Sequence, residues 1–268
     1  MIHAAGPGDP RLDSYRHVGD PAWLAERHLL VAEGRLVVER LLAATHYEVL
    51  SIVVTPAALH ALSARVETAR WDVYVCDRSV LADVTGFDFH RGCLALGRRP
   101  PRPPVADLLG ARRLVAMEGV GNPDNVGGIF RTAAALGAGG VVLDPASGDP
   151  FYRKAIRTSM GATLSVPWVR LDPWPTGLDG FQRERFTLVA LTTDAAALAL
   201  EEFAAHLTDA GKLMLLLGGE GPGLSESVLQ RADVRVRIPI DPAVDSLNVV
   251  VAAGIALERL RPRPDGSR

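Results

Sequence analysis

An α/β architecture in two domains is what this sequence predicts, on three observations. Short apolar runs alternate with segments of helical period through most of the chain. A stretch dense in proline and arginine, Gly97 to Val105, interrupts that alternation. In the C-terminal half, two apolar strands end in glycine- or proline-bearing loops, followed by one long helix of small residues. Alternation of this kind implies a mostly parallel sheet covered on both faces.

Residues 1–20 are rich in Gly, Pro and Asp and read as an irregular arm. Residues 21–97 read as a small α/β domain. Leu36, Val37, Val38, Leu41 and Leu42 keep a helical period over Arg35 to Ala44. Val49 to Thr55 is a strand, and Pro56 to Ala69 a helix with proline at its first turn. Trp71 to Cys76 is a strand, Ser79 to Thr85 a short helix and Gly92 to Leu96 a strand. Residues 98–105 form the linker, where proline density favours a semi-rigid polyproline II spacer. Its three arginines suit either contact with an anionic partner or plain solvation.

Residues 106–268 form the second domain. Its expected order is strand Leu114 to Met117, helix Val126 to Leu136, strand Gly140 to Leu143, helix Phe151 to Thr158 and strand Ser165 to Val169. Strand Thr187 to Leu191, helix Ala197 to Ala204, strand Leu213 to Leu217, helix Ser225 to Ala232, strand Val234 to Ile240 and helix Val249 to Leu260 complete it. The apolar run Leu213 to Leu217 has the length of a strand buried on both faces. Gly218-Gly-Glu220-Gly-Pro-Gly223 follows, four glycines in six residues, which lets backbone approach a ligand closely.

Composition narrows the function. The chain has 268 residues, 48% of them hydrophobic, which suffices for a real core. No apolar run reaches the ~20 residues of a membrane span, and the N-terminus lacks the pattern of a signal peptide. Cytoplasmic placement is therefore expected, with no membrane partner. Two cysteines, Cys76 and Cys93, make neither a disulfide framework nor a metal motif. With a net charge of −2 the whole molecule is not a basic nucleic-acid binder, and any such surface must be local. No phosphate loop, complete dinucleotide fingerprint, zinc motif or Gly-x-Ser-x-Gly elbow is present, so metal ligands are not expected.

Three blocks remain: Asn122-Pro-Asp-Asn125-Val-Gly-Gly-Ile-Phe-Arg131-Thr-Ala133, Gly218 through Ser225, and Ile238-Pro-Ile240 through Asp245-Ser246-Leu247-Asn248-Val249 to Ala252-Ala253. In order and spacing they resemble the signature motifs of the SPOUT superfamily of RNA methyltransferases, in its SpoU/TrmH branch of ribose 2′-O-methyltransferases. The resemblance spans about residues 112–260. Gly219 stands where many relatives carry Asn, and Val250 where many carry a small hydroxyl residue or Ala.

The resemblance implies a SPOUT domain with a deep trefoil knot, preceded by a small α/β substrate-binding domain, and a homodimer joined through the SPOUT domain. It implies S-adenosyl-L-methionine as methyl donor, held by Gly218, Gly219, Glu220, Ile238, Ile240 and Leu247. Asn125, Arg131, Glu220, Ser246 and Asn248 form the implied catalytic set. Arg131 is expected to hold an RNA phosphate in its guanidinium fork and place the neighbouring hydroxyl, since a guanidinium is a poor base. An ordinary helix-surface salt bridge is the plain alternative. Six residues apart, Asn125 and Arg131 are expected to address one pocket. Asn125 suits a helix N-cap as well as a ligand contact, and Ser246 and Asn248 suit a cap for the last helix. Glu220 suits a partner for Arg131 or for a donor hydroxyl. Phe151 to Arg157 resembles a further family segment, so Arg153, Lys154 and Arg157 are candidate RNA contacts beside Arg91, and Tyr152 a stacking one; an ordinary amphipathic helix fits equally. The expected reaction is methyl transfer to a ribose 2′-hydroxyl. The domain layout favours ribosomal RNA over tRNA. A non-catalytic RNA-binding module and a base-methylating SPOUT enzyme are the alternatives.

Overall fold

The computed structural model describes residues 2–62, 70–86, 92–207 and 211–261. Two compact units emerge: residues 1–101 with 150–165, and residues 102–149 with 166–268. The chain passes from one to the other between Pro101 and Arg102, inside the expected linker.

The first unit holds a five-stranded sheet of β1 (Ile2–Ala4), β2 (Leu29–Glu33), β3 (Glu48–Val54), β4 (Asp72–Val75) and β5 (Cys93–Arg98). Their spatial order is β1-β4-β3-β5-β2; β1, β4 and β3 run parallel, and β5 is antiparallel to both its neighbours. Three expectations are corrected here. The N-terminal arm is ordered: β1 pairs with β4, and Leu12, Tyr15 and Val18 are fully buried. Their spacing of three puts them on one side of short helical turns, a pattern that the surrounding Gly, Pro and Asp obscured. Tyr15 closes the contact by a 2.8 Å hydrogen bond between its hydroxyl and Ser51 Oγ. Two linker arginines are already committed: Arg98 ends β5 and pairs with Glu48 at 2.6 Å, and Arg99 Nε donates to the Leu29 carbonyl at 2.7 Å. The segment 150–165, assigned above to the second domain, packs with the first unit, where Ala155 and Ile156 are fully buried.

The second unit carries a seven-stranded sheet of β6 (Arg113–Glu118), β7 (Val141–Leu143), β8 (Trp168–Arg170), β9 (Phe186–Leu191), β10 (Leu198–Ala199), β11 (Lys212–Gly218) and β12 (Val234–Arg237). The order is β10-β12-β9-β11-β6-β7-β8, and every pairing is parallel. Leu213 to Leu217 are at most 1% exposed, as a central strand covered on both faces requires. Leu114, Ala116, Leu188, Ala190, Met214 and Leu216 pack with Phe181 and Phe186 in one core. Alternate residues Val115, Met117, Leu215 and Leu217 are equally buried. From β6 the chain builds outward through β7 and β8, then crosses to β9 and later inserts β11 between β9 and β6. A reversal of this kind opens a crevice at the carboxyl ends of the strands. The helix Pro123–Ala135 packs on the last helix, Val249–Leu260. The far end of the last helix is tied down by buried Arg113, whose Nε donates to the Leu260 carbonyl at 2.5 Å.

Candidate active site

A cavity of about 480 Å³ lies where β9, β11 and β12 end. Gly218, Gly219, Glu220, Ile238, Ile240, Ser246 and Leu247 all line it, so the second and third sequence blocks converge on one place. β12 leaves the sheet at Arg237, which frees Ile238 to Ile240 to turn along the wall. Leu191, Thr192 and Thr193 add a side that no motif announced; Leu191 ends β9, the neighbour of both β11 and β12, and the two threonines follow it.

The glycines are there because backbone passes very close to backbone. A Cβ on Gly218 would sit 2.2 Å from the Gly223 carbonyl carbon, and one on Gly219 2.2 Å from the Gly119 carbonyl oxygen. Gly221 and Gly223 adopt φ of +87° and +67°, which side chains rarely tolerate. The loop closes on itself through a bridge between Gly219 and Gly223.

Beside the cavity runs a chain of amides. Asn248 Nδ2 donates to Asn125 Oδ1 at 3.2 Å, and Asn125 Nδ2 donates to Glu220 Oε1 at 2.7 Å. Asn248 also caps the last helix, accepting from the Val250 amide at 2.9 Å. Asn125 is not a cap: Asn122 performs that function, accepting from the Asp124 amide at 2.9 Å with Pro123 at the first position. Asn125 sits two residues further in and is buried, so its side chain is free to join the two helices and the glycine loop. The helices run parallel, with Gly128 against Val250 and Thr132 against Gly254. A Cβ on Gly128 would lie 2.7 Å from Val250, so glycine here accommodates the valine that departs from the family pattern. The first turn of the helix Pro123–Ala135 meets the Glu220 carboxylate through Asn125, the sign of charge its dipole favours.

Glu220 is therefore engaged by Asn125, and no ion pair joins it to Arg131 among the described residues. Arg131 is exposed and does not line the cavity. Six residues of helix turn a side chain by about 240°, so Asn125 and Arg131 cannot address one pocket from the same face. The common-pocket expectation fails on that geometry, and so does the surface salt bridge: Arg131 has no hydrogen-bond or ion-pair partner among the described residues.

The other basic candidates stand apart. Arg153 is 8% exposed and its guanidinium pairs with buried Glu33 of β2. Arg157 also faces Glu33, at 3.6 Å. Both belong to the first unit; the Arg153 guanidinium, spent on a buried carboxylate, is not presented to a phosphate, whereas the Arg157 side chain stays 34% exposed. Lys154 is exposed on the same helical turn, and Tyr152 is half-buried. Arg91 lies outside the described residues.

Glu118 escaped sequence reasoning altogether. It ends β6, and its carboxylate accepts from the Ser225 amide at 2.7 Å, the Ser225 hydroxyl at 2.8 Å and Trp174 Nε1 at 2.8 Å. A polar residue closing the apolar run Leu114 to Met117 was the only available signal.

Chemically, the cavity presents exposed backbone amides and carbonyls suited to a flat heterocycle. Its side chains include two carboxylates, Glu220 and Asp245, and no Lys, Arg or His. That charge balance disfavours phosphate and favours a ligand carrying positive charge. Among the described residues no group of three or more His, Cys, Asp or Glu side chains is placed to hold a metal ion. No helix of the described residues is long and apolar enough to cross a membrane.

Comparison with known proteins gives three kinds of match. The model of the SpoU rRNA Methylase family matches residues 112–258. The chain is 40% identical over 268 aligned positions to an uncharacterized tRNA/rRNA methyltransferase of Mycobacterium bovis, covering 95% of this chain and 90% of the relative. It is 30% identical over 158 positions to the 23S rRNA (guanosine(2553)-2′-O)-methyltransferase of Bacillus subtilis, covering 59% of this chain and 61% of that protein. Among solved structures, the AdoMet-bound rRNA methyltransferase from Sinorhizobium meliloti is similar with a TM-score of 0.81 at 24% identity, over 97% of each chain. At that identity the likeness speaks for the fold.

Proposed function

The chain belongs to the SpoU rRNA Methylase family, and on that premise we propose that it transfers a methyl group from S-adenosylmethionine to a ribose 2′-hydroxyl of RNA in the cytoplasm. The observation that carries this reading is the cavity: three strand ends, a glycine-lined wall, two carboxylates and no basic side chain. Those residues fit the donor. Backbone at Gly218, Ile238 and Leu247 suits an adenosine, and Glu220 and Asp245 suit a sulfonium and an α-ammonium. Bound there, S-adenosylmethionine supplies an activated methyl group that needs no metal. The protein's own part is orientation. Asn125 and Asn248 hold Glu220 and the start of the last helix in register. Arg131, exposed and unpaired among the described residues, receives an RNA phosphate and presents the adjacent hydroxyl.

The same proposal includes a homodimer. Val251 on the last helix is 51% exposed although large and apolar. A second copy covering that helix would bury Val251. The insertion of β11 between β6 and β9, with the last helix returning beside Pro123–Ala135, supports a deep trefoil knot. The 2′-hydroxyl and ribosomal RNA are favoured by the B. subtilis relative and by the presence of a separate first unit; that unit is proposed to select the RNA, with Lys154 among its contacts.

Incubating total RNA with labelled donor and mapping the modified nucleotide tests this. A ribose-methylated product is expected; a methylated base points to a base-methylating enzyme. Absence of donor binding by calorimetry points to a non-catalytic RNA-binding module. Arg131→Ala is expected to lower turnover by at least about a hundredfold, with donor affinity and stability unchanged.

A further inference from the structure

The wall of the cavity is shaped from behind by a residue that does not touch its interior. The loop Gly219 to Ser225 leaves β11 and returns to the body of the second unit six residues later. Both of its ends are held by Glu118. At the entry, the Gly219 amide donates to the Glu118 carbonyl at 2.8 Å. At the exit, the Ser225 amide and hydroxyl donate to the two oxygens of the Glu118 carboxylate at 2.7 and 2.8 Å. Trp174 Nε1 donates to the same carboxylate at 2.8 Å and fixes its plane. Between these anchors, Gly219, Glu220, Gly221, Pro222, Gly223 and Leu224 line the cavity.

We propose that Glu118 is a positioning residue for donor binding: it clamps entry and exit of the glycine loop and thereby sets the shape of the cavity wall. Three donors converge on the side chain, and only an acceptor-only group satisfies all of them. Glutamine has the same length but would turn its NH₂ toward one of the three. Four glycines in the neighbouring stretch leave the loop little stiffness of its own, so its position depends on how its ends are held. The inference rests on the proposed donor site for its binding consequence; its consequence for loop order stands independently.

The test uses the full chain with Glu118→Gln and Trp174→Phe. Calorimetry with S-adenosylmethionine is expected to show Kd raised by about tenfold in Glu118→Gln, the scale of one charge-assisted hydrogen bond. At saturating donor, kcat is expected within about threefold of the parent, so the loss falls on donor affinity. Hydrogen exchange of peptides covering 219–229 is expected to accelerate while β9 exchanges as before. Trp174→Phe is expected to move both readouts the same way but less. The double variant should resemble Glu118→Gln, because both act through one carboxylate. A folded Glu118→Gln with unchanged exchange in the loop overturns the proposal, as does acceleration spread evenly through the second unit. If Glu118→Gln does not fold, Ser225→Ala and Trp174→Phe decide the matter by the same exchange readout, and no change in either overturns it. If the parent protein does not bind S-adenosylmethionine, the proposed function fails while the exchange arm still judges Glu118.

Discussion

Gly218→Ala tests whether the cavity wall depends on close backbone approach. The added methyl would meet the Gly223 carbonyl carbon at 2.2 Å, the Leu224 amide nitrogen at 2.3 Å and the Gly223 carbonyl oxygen at 2.6 Å. All three are backbone atoms, so no rotamer change relieves the contact. Restoring an ordinary carbon–carbon separation of about 3.5 Å requires the two loop strands to part by about 1.3 Å. Overpacking of this kind costs about 1–3 kcal/mol. A binding site holds its ligand within about 0.5 Å of its productive position, so a shift of that size abolishes tight donor binding. Urea denaturation reads the first effect and calorimetry with S-adenosylmethionine the second. Gly110→Ala is the control, because a Cβ there meets nothing within 4 Å; it should stay within about 0.5 kcal/mol of the parent. If Gly218→Ala matched that control in both stability and affinity, the argument from close approach would be wrong.

Three further outcomes follow from individual contacts. Asn125→Ala removes the donor to Glu220 and the acceptor for Asn248; it should cost about 1–3 kcal/mol in denaturation and weaken donor binding, whereas a loss of stability alone would separate Asn125 from the site. Glu33→Gln strips the carboxylate from buried Arg153 and should destabilise the protein by about 3 kcal/mol; a loss below about 0.5 kcal/mol would show that the buried pair contributes little. Burial pushes the Cys76 thiol up to about 11 and the Cys93 thiol up to about 12. The native state thus keeps protons that the unfolded chain releases, and these groups make stability fall as pH rises from about 9 toward 12. Neither thiol should be alkylated in the folded protein at pH 8; rapid labelling there would contradict the burial.

How much of this was legible from residues alone differs from element to element. Leu213 to Leu217 announced a buried central strand, and four glycines after it announced close backbone approach. Local chain geometry forces both, so no tertiary knowledge was needed. Asn125 suited a cap as well as a ligand contact; the cap falls instead to Asn122, because several polar residues lie at the helix start and the cap is chosen by where backbone leaves the extended region. Arg153 looked like an RNA contact until Glu33, distant in sequence, proved to face it. The burial of Leu12, Tyr15 and Val18 depended likewise on a sheet assembled from residues far along the chain.

The sequence by itself determined the alternation of strands and helices and the apolar core positions, since these follow from periodicity and side-chain chemistry, while the residues expected around a donor were implied by the resemblance of three motifs to a known family. Only the tertiary structure decided which polar group meets which. It gave Glu220 to Asn125 rather than Arg131, turned Arg131 outward, and set Glu118 behind the glycine loop. Hydrogen bonds and ion pairs join residues separated by tens to more than a hundred positions, and such partnerships exist only once the sheet order has brought their strand ends together.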